Sequence, residues 1–304
     1  MTRSPVSQRE FVAMMAMLFA TIALSIDAML PALPQIAADL SPDSPNQVQL
    51  VVTSFFFGMG FGTLIAGPIS DRFGRKPVIL VCAVVYLIGA ALSALAPSLE
   101  TLLFARALQG LGAAAPRVVG MAMVRDLYKG RDMARIVSVV MMIFMVVPAL
   151  APLLGQAVLW VGTWRTIFLV VAAIALLANA WVLLRQPETL PPAARRTLRP
   201  ADLWLSAKEF LGHRTAVLST ACQTLGTACL LATLSSQQGI FEQTFARGDT
   251  FAPWFGFIAL CAASGSLINS RIVMPLGMRR VTLATYLTQV RLTLGLLARL
   301  LGGL

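Results

Sequence analysis

The chain has 304 residues, of which 58% are hydrophobic and only 12% charged, against about 45 to 50% and about 25% in soluble domains, so a water-soluble fold is excluded. A formal net charge of +11 would suit nucleic acid only if the basic residues shared one face, and their distribution along the chain argues against it. The four cysteines, with neither CxxC spacing nor a histidine beside them, exclude a disulfide framework and a zinc site.

Apolar runs that reach the roughly 20 residues needed for a membrane helix fall at about 11–33, 48–70, 77–98, 100–124, 135–159, 165–185, 215–240, 252–274 and 281–302, which predicts nine spans. The first has the basic lead of a secretory signal, but it continues to Leu33 and further spans follow, so it is read as helix one. With the N-terminus in the cytoplasm, Arg3, Arg9, Arg72, Arg75, Lys76, Arg125, Lys129, Arg131 and Arg135 fall on the cytoplasmic side. The basic residues from Arg185 to Arg214, and Arg271, Arg279 and Arg280, fall there too, leaving only Arg165 and Arg247 outside. This positive-inside bias predicts a multi-pass protein of the inner (plasma) membrane with a cytoplasmic N-terminus. The basic charge then orients the chain in lipid and does not bind nucleic acid.

Between the sixth and seventh runs lies one long basic loop with prolines at 187, 191, 192 and 200. It divides the chain into a six-helix bundle (1–185), a cytoplasmic basic linker (186–214) and three further helices (215–304). Six spans before such a linker is the half-unit of a secondary transporter, in which two bundles rock about a midplane site. Within the linker, "RPADLWLSAKEFL" reads either as a short helix on the membrane surface or as plain connection. His213, the one histidine, falls in this loop and reads as a solvated residue.

The turn between helices two and three reads "GPISDRFGRKP", residues 67–77. Gly67 suits close packing, Gly74 a turn conformation barred to bulkier residues, and Pro77 the first turn of a helix. Anchoring by positive charge accounts for Arg72, Arg75 and Lys76 but leaves Asp71 and the glycine spacing unexplained. The stretch resembles the major facilitator superfamily, whose loop between helices two and three carries Gly-x-x-x-Asp-Arg-x-Gly-Arg-Lys. Gly67, Asp71, Arg72, Gly74, Arg75 and Lys76 all match. In that family the Asp and the second Arg join an acid at the end of helix four and lock the cytoplasmic gate against helix eleven; the corresponding acid here is Asp126.

Two further stretches, "SIDAMLPALPQIAADL" (25–40) and "RALQGLGAAA" (106–115), resemble the drug/proton antiporters of the Bcr/CflA subfamily. The second matches the family's helix-four pattern at every position, Gln109 included. The helix-five antiporter pattern is only partly met: Val147, Ala151, Pro152, Gly155 and Gln156 stand at its key places, beside Pro148. The resemblance runs from about residue 11 to 285. It implies an all-α, polytopic transporter fold with about nine of twelve helices present, monomeric when full length, with protons as coupling ion, no cofactor or metal, a small-molecule substrate and no enzymatic activity. No nucleophile–base pair or metal cluster argues for an enzyme. Proton-coupled efflux of drugs or small amphiphiles, export of a single metabolite on the same frame, and a non-transporting shortened chain all fit.

An ionisable group inside a span costs about 2.5 to 3.5 kcal/mol even on the lenient insertion scale, which singles out three residues. Asp27 lies about six residues from the outer end of helix one, and Arg106 lies about as deep in helix four, so the two can pair. A buried carboxylate is pushed towards protonation by desolvation and towards ionisation by a nearby Arg. That is the chemistry of a proton site, and the resemblance gives Asp27 this role with Arg106 as its partner. The other reading of Asp27 is a cap at a kink before Pro31. Arg117 shares a helix face with Arg106, 11 residues on; it either faces inward or snorkels to the cytoplasmic surface. In helix five Pro148, Pro152 and Gly155 predict a kinked, closely packed helix. Met141, Met142, Phe144 and Met145 read as packing residues or as an adaptable pocket. In the last run Arg291 lies about ten residues into the bilayer with no acid to meet it, so that span is weak.

Overall fold

The computed structural model describes residues 6–197, 200–241, 250–251, 253–258, 261 and 277–302, and among these the regular structure is all helical. Helix α1 (Gln8–Asp27) opens at Ser7, whose hydroxyl accepts from the Glu10 backbone N–H and so satisfies one of the free donors of the first turn. After Asp27 the chain passes through a 3-10 turn (Leu30–Ala32) into α2 (Leu33–Leu40). Pro31 and Pro34 sit in the opening positions of these two pieces, where a missing N–H costs nothing. The bent rod Gln8–Leu40 forms the first span, longer than the apolar run predicts.

Four helices then alternate direction in quick succession: α3 (Leu50–Phe73), α4 (Arg75–Leu95), α5 (Leu99–Leu127) and α6 (Gly130–Val161). Helix α7 (Trp164–Arg185) starts with a capping box built by Thr163 and Thr166. A short helix α8 (Pro200–Gly212) precedes α9 (Arg214–Gly239). Seven helices among the described residues are long and apolar enough to cross a membrane, the last being Arg214–Leu234. Helical backbone bonding meets most of what hydrocarbon requires, and Pro68, Pro116, Pro148 and Pro152 inside three of these helices each remove one donor. The predicted eighth span, 252–274, lies mostly outside the described residues. The ninth forms a helix, α10 (Met278–Gly302), but is not among the seven; it carries Thr282, Thr285, Thr288 and Thr293 as well as the exposed Arg291.

By contacts the chain separates into a unit Met1–Gly256 and a unit Phe257–Leu304, which contains α10. In the first unit α5 is the hub, packed most extensively on α3 and α4, while α1 lies against α6 and α7. Small residues permit this. A Cβ at Gly110 would overlap the Phe55 carbonyl, one at Gly58 the Ala107 carbonyl, and one at Gly112 the backbone of α4 at Cys82 and Tyr86. Helices without an apolar driving force between them associate through such close backbone approach. The outward faces carry exposed Phe57, Phe61, Leu64, Leu169 and Leu184, the pattern of a surface solvated by lipid.

Candidate functional site

Two buried arginines organise the polar residues of the first unit. Arg75 opens α4 directly after Gly74, which takes φ 104°, a conformation that favours glycine. That turn brings the Arg75 side chain back over the end of α3. Its Nη1 donates to Asp71 Oδ1 at 2.6 Å and to Ser70 Oγ at 2.7 Å, and its Nε donates to Asp126 Oδ2 at 3.0 Å. The acid that closes α5 thus meets the motif at the end of α3. Gly67 faces Val118 of α5 one turn earlier. Arg72 stays outside the cluster, its guanidinium 5.1 Å from the Phe73 ring centroid, and Lys76 contributes its backbone N–H rather than its charge.

That N–H points to residues the sequence reading missed. Glu188, just past α7, accepts from the Arg75 backbone N–H through Oε1 (2.9 Å) and from the Lys76 N–H through Oε2 (3.0 Å). These are free donors of the first turn of α4, where a carboxylate also meets the positive end of the helix dipole. Thr189 Oγ1 donates to Asp126 Oδ2 at 3.1 Å, and the Arg196 N–H donates to the Asp71 carbonyl at 3.0 Å. Residues 188–196 therefore form a strap across the Arg75 cluster, and a cavity of about 400 Å³ remains between strap, α3 and α5, with Arg125 on its wall. The available signal was an acid embedded in an otherwise basic loop.

Arg106 differs in every partner. It is fully buried on α5. Its Nη1 donates to Gln109 Oε1 (2.7 Å), its Nη2 to the Ser25 carbonyl (3.1 Å) and its Nε to the Val51 carbonyl (3.3 Å). The Phe55 and Phe168 rings lie 4.5 and 5.6 Å from its guanidinium carbon, within cation–π range. The Ser25 carbonyl is available because it belongs to the last turn of α1, where acceptors outnumber intrahelical donors. Ser25 Oγ donates to the Thr21 carbonyl and lies 2.5 Å from the Tyr86 hydroxyl. Arg106 is thereby tied to α1, α3 and α7 by neutral groups alone. The Nε2 of the fully buried Gln109 has no hydrogen-bond partner among the described residues.

The ion pair expected between Asp27 and Arg106 is not formed. Asp27 is 5% exposed at the final position of α1 and makes no hydrogen bond or ion pair with a described residue. Helix geometry gives the reason: at 100° per residue Asp27 leaves α1 about 200° round from Ser25, so the two cannot face the same neighbour. What lies beside Asp27 is the close approach of α6. Gly155 packs so tightly on the Ala28 carbonyl that a Cβ there would overlap it, and Ala151 and Pro152 are buried one turn before. The structure thus brings the helix-five residues to the bend of helix one; Pro148 lies half-buried a further turn back. Arg117 is exposed and takes no part in the Arg106 network. Met141 and Phe144 pack against an apolar core around Phe19 while Met142 is exposed, which favours the packing reading; the Met145 side chain lies outside the description.

A family model described as Major Facilitator Superfamily matches residues 13–302. A bicyclomycin resistance protein homolog of Haemophilus influenzae is 34% identical over 85% of this chain and 66% of its own length. The multidrug resistance protein MdtL of Salmonella heidelberg is 33% identical over 74% of this chain and 56% of its own. The chain thus spans about two thirds or less of the length of these relatives. Among solved structures, a D-xylose–proton symporter superposes with a TM-score of 0.65 at 16% identity, covering 87% of this chain and 69% of the symporter, a likeness of fold alone.

Proposed function

The chain belongs to the Major Facilitator Superfamily, and from that premise we propose that it carries out proton-coupled export of small amphiphilic molecules across the inner membrane, N-terminus in the cytoplasm, with Asp27 as the group that exchanges proton for substrate. The observation that carries this reading is the isolation of Asp27. It is a buried carboxyl group without a hydrogen-bond or ion-pair partner among the described residues, at the end of a helix whose next carbonyl is seated on Gly155. A buried acid in an apolar protein is costly in its charged form. Gaining or losing its proton therefore changes the energy of the α1 bend and of its contact with α6, the helix with Pro148 and Pro152 inside it. If substrate and proton compete for this one site, the linkage that antiport requires follows. Arg106, held by neutral ligands, supplies a fixed positive field; Gln109 positions it.

The Arg75 cluster serves as the cytoplasmic gate in this reading, with Glu188 and Thr189 as additional clasps. The names of the relatives support a drug-like substrate class. A preference within it, against cations, follows if the exposed Arg117 faces the substrate path, because Arg106 and Arg117 then outweigh an ionised Asp27. Asp27→Asn in vesicles with an imposed pH difference should abolish gradient-driven uptake of bicyclomycin, a neutral probe, while leaving insertion intact. Uptake equal to that of the unaltered chain would overturn the assignment. Better transport of ethidium, a cation, would refute the charge preference.

A further inference from the structure

Arg117 carries its charge inside the α5 span, is exposed, and makes no hydrogen bond or ion pair with a described residue. Its place on α5 follows from the residues three positions away on either side, which lie about 60° round the helix in opposite directions. Gly120 meets Phe19 and Met15 of α1, and Ala114 meets Gly62 of α3. Arg117 therefore leaves α5 into the gap between α1 and α3, two helices that pack on α5 and hardly touch each other. Met59 and Thr63 stand on the α3 wall of that gap, the side of α3 that meets Gly110, with the Thr63 hydroxyl donating to the Met59 carbonyl at 2.8 Å. Half-buried Met121 lies one turn along α5 from Arg117, on the same side. Three turns in the other direction the gap is shut, because Arg106 bridges it by donating to the Ser25 carbonyl of α1 and the Val51 carbonyl of α3. The result is a cleft closed at Arg106 and open at Arg117.

We propose that this cleft is a carboxylate subsite on the transport path, and that Arg117 selects amphiphiles carrying a single carboxylate. The proposal rests on the transport reading above and adds the substrate class to it. Arg106 is not available for this role, because its Nε, Nη1 and Nη2 each already donate to a protein acceptor. The Arg117 fork is unengaged among the described residues. A planar guanidinium meets a carboxylate with two parallel hydrogen bonds, and such charge-assisted pairs are the strong ones. Methionine walls accept apolar bodies of varied shape. Geometry opposes snorkelling to the nearer rim. Arg117 lies ten residues, about 15 Å, from the end of α5 at Leu127, and helical side chains lean towards the N-terminal turn, here towards Ala113 and the interior of the span. The open end of the cleft faces the Arg75 cluster, which in the transport reading is the cytoplasmic side, from which an exporter loads.

The test is equilibrium dialysis of the whole chain in phosphatidylcholine nanodiscs, with empty discs subtracted, using 2-naphthoate and the shape-matched neutral 2-naphthamide. The unaltered chain should bind the carboxylate about tenfold more tightly than the amide, or better. Arg117→Gln should abolish the difference without lowering the melting temperature, because the side chain holds nothing in the fold. Arg117→Lys should restore part of it, keeping the charge without the fork. Equal affinities in the unaltered chain, or binding of neither probe, would overturn the substrate class. A carboxylate preference that survives in Arg117→Gln would overturn the role of Arg117. Native mass spectrometry of the purified chain tests the other occupant: an anionic phospholipid retained by the unaltered chain and lost in Arg117→Gln would sink the proposal by giving the cleft to a lipid headgroup. Binding is read at equilibrium with no proton gradient, so failure of the Asp27→Asn uptake experiment leaves the carboxylate preference standing, and loss of that preference leaves the uptake result standing.

Discussion

Arg75 and Arg106 are both buried guanidinium groups in one helical bundle, yet they are satisfied by opposite means. Arg75 meets two carboxylates and a hydroxyl, in a cluster whose acids stay partly open to water, at 40% exposure for Asp71 and 20% for Asp126. Arg106 meets only neutral acceptors, two main-chain carbonyls and an amide, between two aromatic rings. A charge paired with acids is a clasp that can be opened by moving a helix end. A charge held by backbone carbonyls is part of the frame, and Asp27 is left without a hydrogen-bond or ion-pair partner among the described residues. In the proposed function the first is the gate and the second stands beside the coupling site.

The sharpest way to break the contrast is Arg106→Ala. It empties a fully enclosed volume and strands Gln109 Oε1, so a loss of about 3 to 5 kcal/mol is expected, by analogy with other large buried truncations, read as reduced recovery of folded chain from membranes and a lowered melting temperature. Arg106→Lys should rescue poorly, because an ammonium cannot fork to Val51, Ser25 and Gln109 together. Recovery equal to the unaltered chain would show that the network does not hold the bundle.

Arg75→Ala should cost less, about 1 to 3 kcal/mol, because the abandoned Asp71 and Asp126 can be hydrated where they stand. Melting of the detergent-solubilised variants side by side decides the order; a larger loss for Arg75 than for Arg106 would invert the comparison. Smaller again is Glu188→Ala, about 1 kcal/mol for losing a helix-start carboxylate. Its clearer readout is tryptic cleavage after Arg195 and Arg196, which should accelerate as the strap lifts. An unchanged cleavage rate would mean that Glu188 does not hold it.

What was legible in the sequence follows this same division. The spans could be read because hydrocarbon demands long uninterrupted apolar runs, and the Arg75 motif because a turn with Asp71, Gly74 and Arg75 at fixed spacing is a local feature. The surroundings of Arg106 were not legible. Its ligands are the carbonyls of Ser25 and Val51, and every residue has a carbonyl, so only the rotation of α1 and α3 selects them. The same rotation turns Asp27 away, which equal depth in two helices could not reveal. Glu188 was hidden for a different reason: it lies 113 residues from Arg75 in the chain, in a loop whose basic character drew the reading to topology. The exposure of Arg117 was left open by helical periodicity, since sharing a face with Arg106 does not decide what covers that face.

The smallest expected structural effect belongs to the residue with the largest functional one. Asp27→Asn is nearly isosteric and breaks no hydrogen bond or ion pair with a described residue, so melting should shift little. The account rests on Asp27 being an acid that titrates inside the bundle while Arg106 stays fixed. Infrared difference spectroscopy of the chain in lipid, between acidic and alkaline pH, should show a band for a protonated carboxyl group in an apolar setting that is missing from the Asp27→Asn variant. An identical difference spectrum in the two proteins would contradict the account at its centre.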